Sequence, residues 1–132
     1  MVEKTFGVMK DLKVGKYVLI DEEPCRVVNV QTSAPGKHGH AKIRVDAIGV
    51  FDGVKRILMK PSDGTIEIPI IERKTGQIIT LVGKNATIMD LETFENFDIE
   101  ITDDLIADAE AGREVEYIAA MGKRMITRIK KG

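Results

Sequence analysis

Ten short runs rich in β-branched residues, most of them closed by a turn signal or a charge cluster, limit what this chain of 132 residues can become. Val, Ile and Thr are stiff at χ1 and pack well on a pleated surface, so such runs read as strands. In the front half they fall at residues 17–20, 25–30, 41–50, 54–59 and 65–68. Asp21-Glu22-Glu23-Pro24, Asp52-Gly53 and Ser62-Asp63-Gly64 supply turns between them. The expected product is a small β-barrel. Pro69 stops strand pairing and Glu72-Arg73-Lys74 follows it, so a domain boundary is expected there, giving units 1–69 and 70–132.

The back half repeats the strand pattern at 77–82, 86–91 and 96–101, then at 114–120 and 124–129 with a hairpin across Met121-Gly122-Lys123. Between the two groups, Thr102 is placed to cap a short helix. Asp103 and Asp104 would occupy its first turn, Leu105, Ile106 and Ala109 its apolar stripe, and Gly112 would follow its end. Three strands, a short helix and two strands match a five-stranded OB-fold barrel. The fold class is therefore all-β, with two small barrels in series.

Alternation assigns faces within the strands. Ala41, Ile43, Val45 and Ala47 alternate with His40, Lys42, Arg44 and Asp46, which gathers the basic residues on one side. Beyond Ala47 the apolar positions shift to Ile48 and Val50 around Gly49, and a bulge is expected at that point. In 96–101, Phe97, Ile99 and Ile101 read inward and Asp98 and Glu100 outward.

Twenty basic and 21 acidic residues nearly cancel, but not evenly along the chain. Residues 1–69 carry 11 Lys and Arg against 9 Asp and Glu, and residues 70–132 carry 9 against 12. Contacts with nucleic acid are expected in the front half. Glu92, Glu95, Asp98, Glu100, Asp103 and Asp104 argue against a broad phosphate-binding surface on the back barrel, leaving it as a spacer and docking module. The single cysteine, Cys25, has no internal disulfide partner and reads as a core residue; the start shows no charged-then-apolar leader, and no apolar run approaches ~20 residues. A soluble, cytoplasmic protein without membrane contact is the expectation.

One segment carries chemistry. Residues 24–45 contain no Asp or Glu, yet hold Arg26, Lys37, His38, His40, Lys42 and Arg44. Within them, Ser33-Ala34-Pro35-Gly36-Lys37-His38-Gly39-His40 places a lysine between two glycines, which remove side chains on both sides, while Pro35 stiffens the approach. That arrangement displays an amine at a loop tip, and its basic surroundings suit an anionic partner. An ordinary hairpin tip with solvated charges has the same composition. A P-loop is excluded, because Gln31 and His38 stand where that pattern needs Gly and Ser or Thr. Two histidines fall short of a zinc site's three or four ligands, and no metal is expected. Nor is a catalytic role: a catalytic lysine is normally buried to lower its pKa, whereas an exposed one stays protonated and serves better as a substrate.

The run Gln31-Thr32-Ser33-Ala34-Pro35-Gly36-Lys37-His38-Gly39-His40-Ala41-Lys42 resembles the modification loop of the translation initiation factor 5A family, archaeal in type and related to bacterial elongation factor P. The Gly-Lys-His-Gly-His-Ala-Lys core is intact; Ala34 and Pro35 replace the Lys-Thr pair usual in eukaryotic members. The resemblance extends over essentially the whole chain and implies an SH3-like barrel followed by an OB fold. It further implies a ribosome-binding translation factor, not an enzyme, whose Lys37 becomes deoxyhypusine or hypusine from spermidine by the action of deoxyhypusine synthase, with no other cofactor. In this reading Ser33, Gly36, His38, Gly39 and His40 form the modification loop, and Lys37, Lys42, Arg44 and Arg26 face RNA beside the peptidyl-site tRNA. The alternatives are a general RNA-binding protein with an unmodified Lys37, which needs a wider basic surface, and a lysine-dependent enzyme, which needs a substrate pocket.

Overall fold

The computed structural model describes residues 3–33 and 41–131. Contacts divide the chain into two compact units, Met1–Ile70 and Ile71–Gly132. The amide of Ile70 donates to the carbonyl of Glu3 at 3.0 Å, so the front unit keeps one residue more than the proline signal suggests.

The front unit contains β1 (Lys4–Val8), a 3-10 turn at Met9–Asp11, β2 (Tyr17–Ile20), β3 (Glu23–Ser33), β4 (Lys42–Gly49), β5 (Lys55–Pro61) and β6 (Thr65–Pro69). Strands β2-β3-β4-β5 form one antiparallel sheet and β1 pairs with β6 in another. Between them lie the buried Met9, Leu12, Val18, Ile20, Cys25, Val27, Ile43, Val45, Ala47 and Ile66. β1 is absent from the sequence reading because Lys4-Thr5-Phe6-Gly7-Val8 offers only Phe6 and Val8 as apolar positions, separated by a glycine, too short an alternation to mark a strand. Its pairing comes from β6, some sixty residues away, reinforced by the Lys4 Nζ to Glu67 contact at 2.6 Å.

On β4 the inner phase continues through Ile43, Val45, Ala47 and Gly49. The expected phase change at Ile48 does not occur: Ile48 is 40% exposed, on the outer face. The bulge lies instead on β3, where the register shifts between Val27 and Asn29 opposite Ala47 and Asp46. A Cβ at Gly49 would fall 1.9 Å from Oδ1 of Asp52 and 2.8 Å from Nη1 of Arg56. The inner position is thus taken by the two-pronged Arg56–Asp52 pair, whose bonds measure 3.1 and 2.8 Å. Those bonds raise the pKa of Arg56.

The back unit contains β7 (Glu72–Val82), β8 (Asn85–Asp90), β9 (Asn96–Glu100), β10 (Glu114–Ala120) and β11 (Lys123–Ile129), in the order β11-β10-β7-β8-β9. Ile78, Ala86, Ile88, Ile101, Val115, Tyr117, Ile126 and Ile129 form its buried core. β7 starts at Glu72, ahead of residue 77, because the charged run that reads as a junction pairs with β10 from Glu72↔Ala119 to Gln77↔Glu114. The expected helix after Thr102 is a single 3-10 turn at Ile106–Asp108 with no side-chain cap. The hydroxyl of Thr102 is engaged by the carboxylate of Asp104 instead of capping a backbone amide. The result is all-β, two barrel-like units with helical structure limited to two 3-10 turns among the described residues.

Candidate functional site

Strands β3 and β4 bring Ser33, Lys42 and Arg44 together, because antiparallel pairing fixes which side chains share a face. On the outer face the rows run Ser33–Lys42–Pro61, Gln31–Arg44–Met59, Asn29–Asp46–Ile57 and Arg26–Ile48–Lys55 across β3, β4 and β5. Lys42 and Arg44 therefore lie at the end from which the β3–β4 connection departs. Arg26 stands at the other end, seven residues from Ser33 along a strand rising ~3.3 Å per residue, so roughly 20 Å away. It shares the face without joining the cluster.

The departure point is held at both ends. Ser33 Oγ donates to the carbonyl of Lys42 at 3.3 Å, and the amide of Ser62 donates to the carbonyl of Ala41 at 3.0 Å. Ser33 is thus the last residue of β3, where the connection to β4 begins. Gly36, Lys37, His38, Gly39 and His40 lie outside the described residues.

Beside this base is an open cleft of about 310 Å³ lined by Gln31, Thr32, Ser33, Lys42, Arg44 and Met59. Asp46 orients its guanidinium: Arg44 Nε donates to Asp46 Oδ1 at 3.3 Å, and Asn29 Nδ2 donates to Oδ2 at 3.3 Å. Burial pushes Asp46 up, but the hydrogen bonds from Asn29 and Arg44 and the charges of Arg44 and Lys55 prevail and hold its carboxyl below the ordinary range. Sequence reasoning assigned Asp46 to the polar face without this role. The signal present was its two-residue spacing from Arg44, which places both on one side of a strand.

Cys25 is fully buried, its Sγ 3.3 Å from the carbonyl oxygen of Glu23, and burial pushes its thiol up despite a hydrogen bond with Arg56. Such a thiol packs and does not attack. Among the described residues no group of three or more His, Cys, Asp or Glu could hold a metal ion. No described helix is long and apolar enough to cross a membrane.

Residues 5–64 match the family model for translation initiation factor 5A-like N-terminal domains. The chain is 53% identical over 115 residues to translation initiation factor 5A of Methanocella arvoryzae, covering 87% of this chain and 90% of the relative. With that of Methanothermobacter thermautotrophicus it shares 50% over 122 residues, covering 92% and 94%. The chain belongs to the translation initiation factor 5A family. The solved factor 5A structure from Methanococcus jannaschii superposes with a TM-score of 0.90 at 42% identity, covering 98% of both chains. A family protein from Naegleria fowleri gives 0.79 at 29% identity, covering 98% of this chain and 100% of the other. As a family member the protein is a translation factor associated with the ribosome, not an enzyme.

Proposed function

We propose that Lys37 accepts the aminobutyl group of spermidine from deoxyhypusine synthase, which uses NAD, and that the resulting deoxyhypusine or hypusine arm is the working part of the factor. The observation that carries this reading is the intact Gly-Lys-His-Gly-His-Ala-Lys run, located in the connection between β3 and β4. Addition lengthens the side chain by about 6 Å and leaves two amines cationic at neutral pH. A long, thin, doubly charged arm suits a phosphate-lined crevice at the acceptor end of peptidyl-site tRNA. Ordering that end lowers the entropic part of the barrier to peptide-bond formation at stalled sites such as proline runs, and assists termination in the same way, while the ribosome performs the chemistry.

Lys42 and Arg44, at the base of the connection, are assigned to RNA phosphates on the flank, with the Asp46 contact fixing the direction of Arg44. Arg26 contributes at longer range. The cytoplasm, where ribosomes work, is the proposed location. Peptide mass spectrometry of the protein from its native host tests the reading: an aminobutyl adduct at Lys37 is expected, and a bare Lys37 refutes it. Lys37→Arg keeps the charge but lacks the acceptor amine; it should fold normally and fail to relieve stalling in a reconstituted translation assay. Full activity of that variant would favour an unmodified RNA-binding protein.

A further inference from the structure

The turn joining β8 to β9 displays a side chain that the fold does not require there. Phe94 is 69% exposed and stands at a φ of 64°, left-handed backbone that glycine or asparagine adopts readily and that a bulky residue resists. Packing does not explain it: neither the core of the back unit nor the half-buried residues packed on that core include Phe94. The turn is nevertheless firmly braced. Asp90 Oδ1 accepts the amides of Glu92 and Thr93, the carbonyl of Asp90 accepts the amide of Phe94, and the amide of Asp90 donates to the carbonyl of Glu95, each at 2.8 Å. Strain of this kind persists where the surroundings over-determine it, and such positions cluster at binding sites. A ring presented on a fixed backbone has large apolar area to cover and little chain freedom to lose, which are the properties of an interface anchor.

Charge selects the partner. Residues 85–112 carry nine Asp and Glu and no Lys, Arg or His, and Glu92 and Glu95, on either side of Phe94, are both exposed. A base of RNA can stack on the ring, but its phosphates would enter a field of their own sign. Two copies meeting turn to turn would set the glutamates of one against those of the other, which is unfavourable for the same reason. The ribosome, with which the protein associates, offers RNA and protein, and charge leaves the protein. An apolar pocket rimmed by Lys or Arg satisfies both the ring and the carboxylates. We propose that Phe94 anchors the back unit on a basic protein surface of the ribosome, with its ring in an apolar pocket and Glu92 and Glu95 on the cations of the rim. This contact does not depend on the chemistry at Lys37.

The test measures equilibrium binding of the full chain to ribosomes of its native host. Phe94→Asn, which the left-handed backbone accepts, should weaken binding at least ~10-fold without lowering the melting temperature, so that a lost contact is separated from a folding defect. Replacing Glu92 and Glu95 together by Lys distinguishes the partners: binding should weaken if the facing surface is basic protein and tighten if it is RNA. For direct identification, Phe94→Cys is labelled with a benzophenone maleimide and irradiated on the ribosome; Cys25 is fully buried and does not compete for the label. Crosslinks to a ribosomal protein, at a peptide bearing Lys or Arg, are expected. A loss smaller than ~10-fold for Phe94→Asn, tighter binding after the charge reversal, crosslinks to ribosomal RNA or to a second copy of the chain, or no crosslink at all would each overturn the proposal.

Discussion

Replacing Tyr117 by Phe isolates a buried charged contact in the back unit. Asp90 is only 3% exposed, yet ionised. Its Oδ1 accepts the amides of Glu92 and Thr93, each at 2.8 Å, and its Oδ2 accepts the hydroxyl of Tyr117. Burial pushes the carboxyl up, but these hydrogen bonds and the charge of Lys74 outweigh it and set the pKa at about 2 against an ordinary 3.8. A depression of that size corresponds to about 2 kcal/mol of stability. Because the folded value is the lower one, that stability is complete above pH ~4 and is lost as pH falls through about 2. Tyr117→Phe keeps the ring tilted against Phe97, with centroids 4.9 Å apart, and removes one bond to a buried carboxylate, at a cost of about 2 kcal/mol. For a unit of this size the melting temperature should fall by roughly 10 °C. Urea unfolding followed by amide signals of Ile88 and Ile126, with Val18 and Val45 as front-unit controls, measures it. The gap between wild type and variant should be widest at pH 5–7 and narrow below pH 4, since the variant has less of this stability to lose. A gap under ~0.5 kcal/mol, or one independent of pH, would refute the assignment of the depressed pKa to the Tyr117 bond.

Gly76→Ala should destabilise the back unit by about 1–3 kcal/mol, because a Cβ there would stand 2.6 Å from Cγ2 of Ile88 and 3.1 Å from the carbonyl of Met89; the same urea titration reads it. Phe94 is 69% exposed at a φ of 64°, so Phe94→Asn should leave the melting temperature unchanged or raise stability by up to about 1 kcal/mol, as measured calorimetrically. Replacing Lys42 and Arg44 together by Ala should lower ribosome affinity and flatten its dependence on salt by about 1.5 in log–log slope, measured across a salt series. Lys130 and Lys131 replaced in the same way should matter less, since Lys130 already lies 3.5 Å from Glu114.

What the sequence revealed and what it concealed divide along the range of the interactions. The faces of β4 up to Ala47 and of β9 follow from alternation, a local property, and the turn at Met121-Gly122 is a two-residue hairpin with both φ values positive. The strand starts β1 and 72–76 were illegible because they are polar or glycine-bearing and are held by partners far along the chain: β6 for one, β10 for the other. The apparent phase of Ile48 points to a bulge on β4, whereas Gly49 fills the inner place only because Asp52 and Arg56 occupy the space of a side chain there. A missing side chain has no hydrophobic signature.

The same distinction separates the two surfaces of the front unit. The proposed acceptor lysine rests on adjacent letters, because the chemistry proposed for it needs a local constellation, a primary amine between glycines. The exposed strip of β5 is not legible in that way, since Ile57 and Met59 alternate as any half-buried strand would; nothing in the sequence says which face is inside. Register decides it. Val45 opposite Leu58 turns Leu58 to the core and therefore turns Ile57 and Met59 out beside Arg44 and Asp46. A one-residue slip of β5 would bury Ile57 and Met59 and expose Leu58, exchanging an apolar–cationic strip for one bearing Arg56, Leu58 and Lys60. The Arg56–Asp52 pair and the contact of Lys60 Nζ with the carbonyl of Thr65 at 2.6 Å oppose that slip, because both depend on Arg56 and Lys60 keeping their places. The cations that lend β5 its charge thus also set which of its side chains face outward.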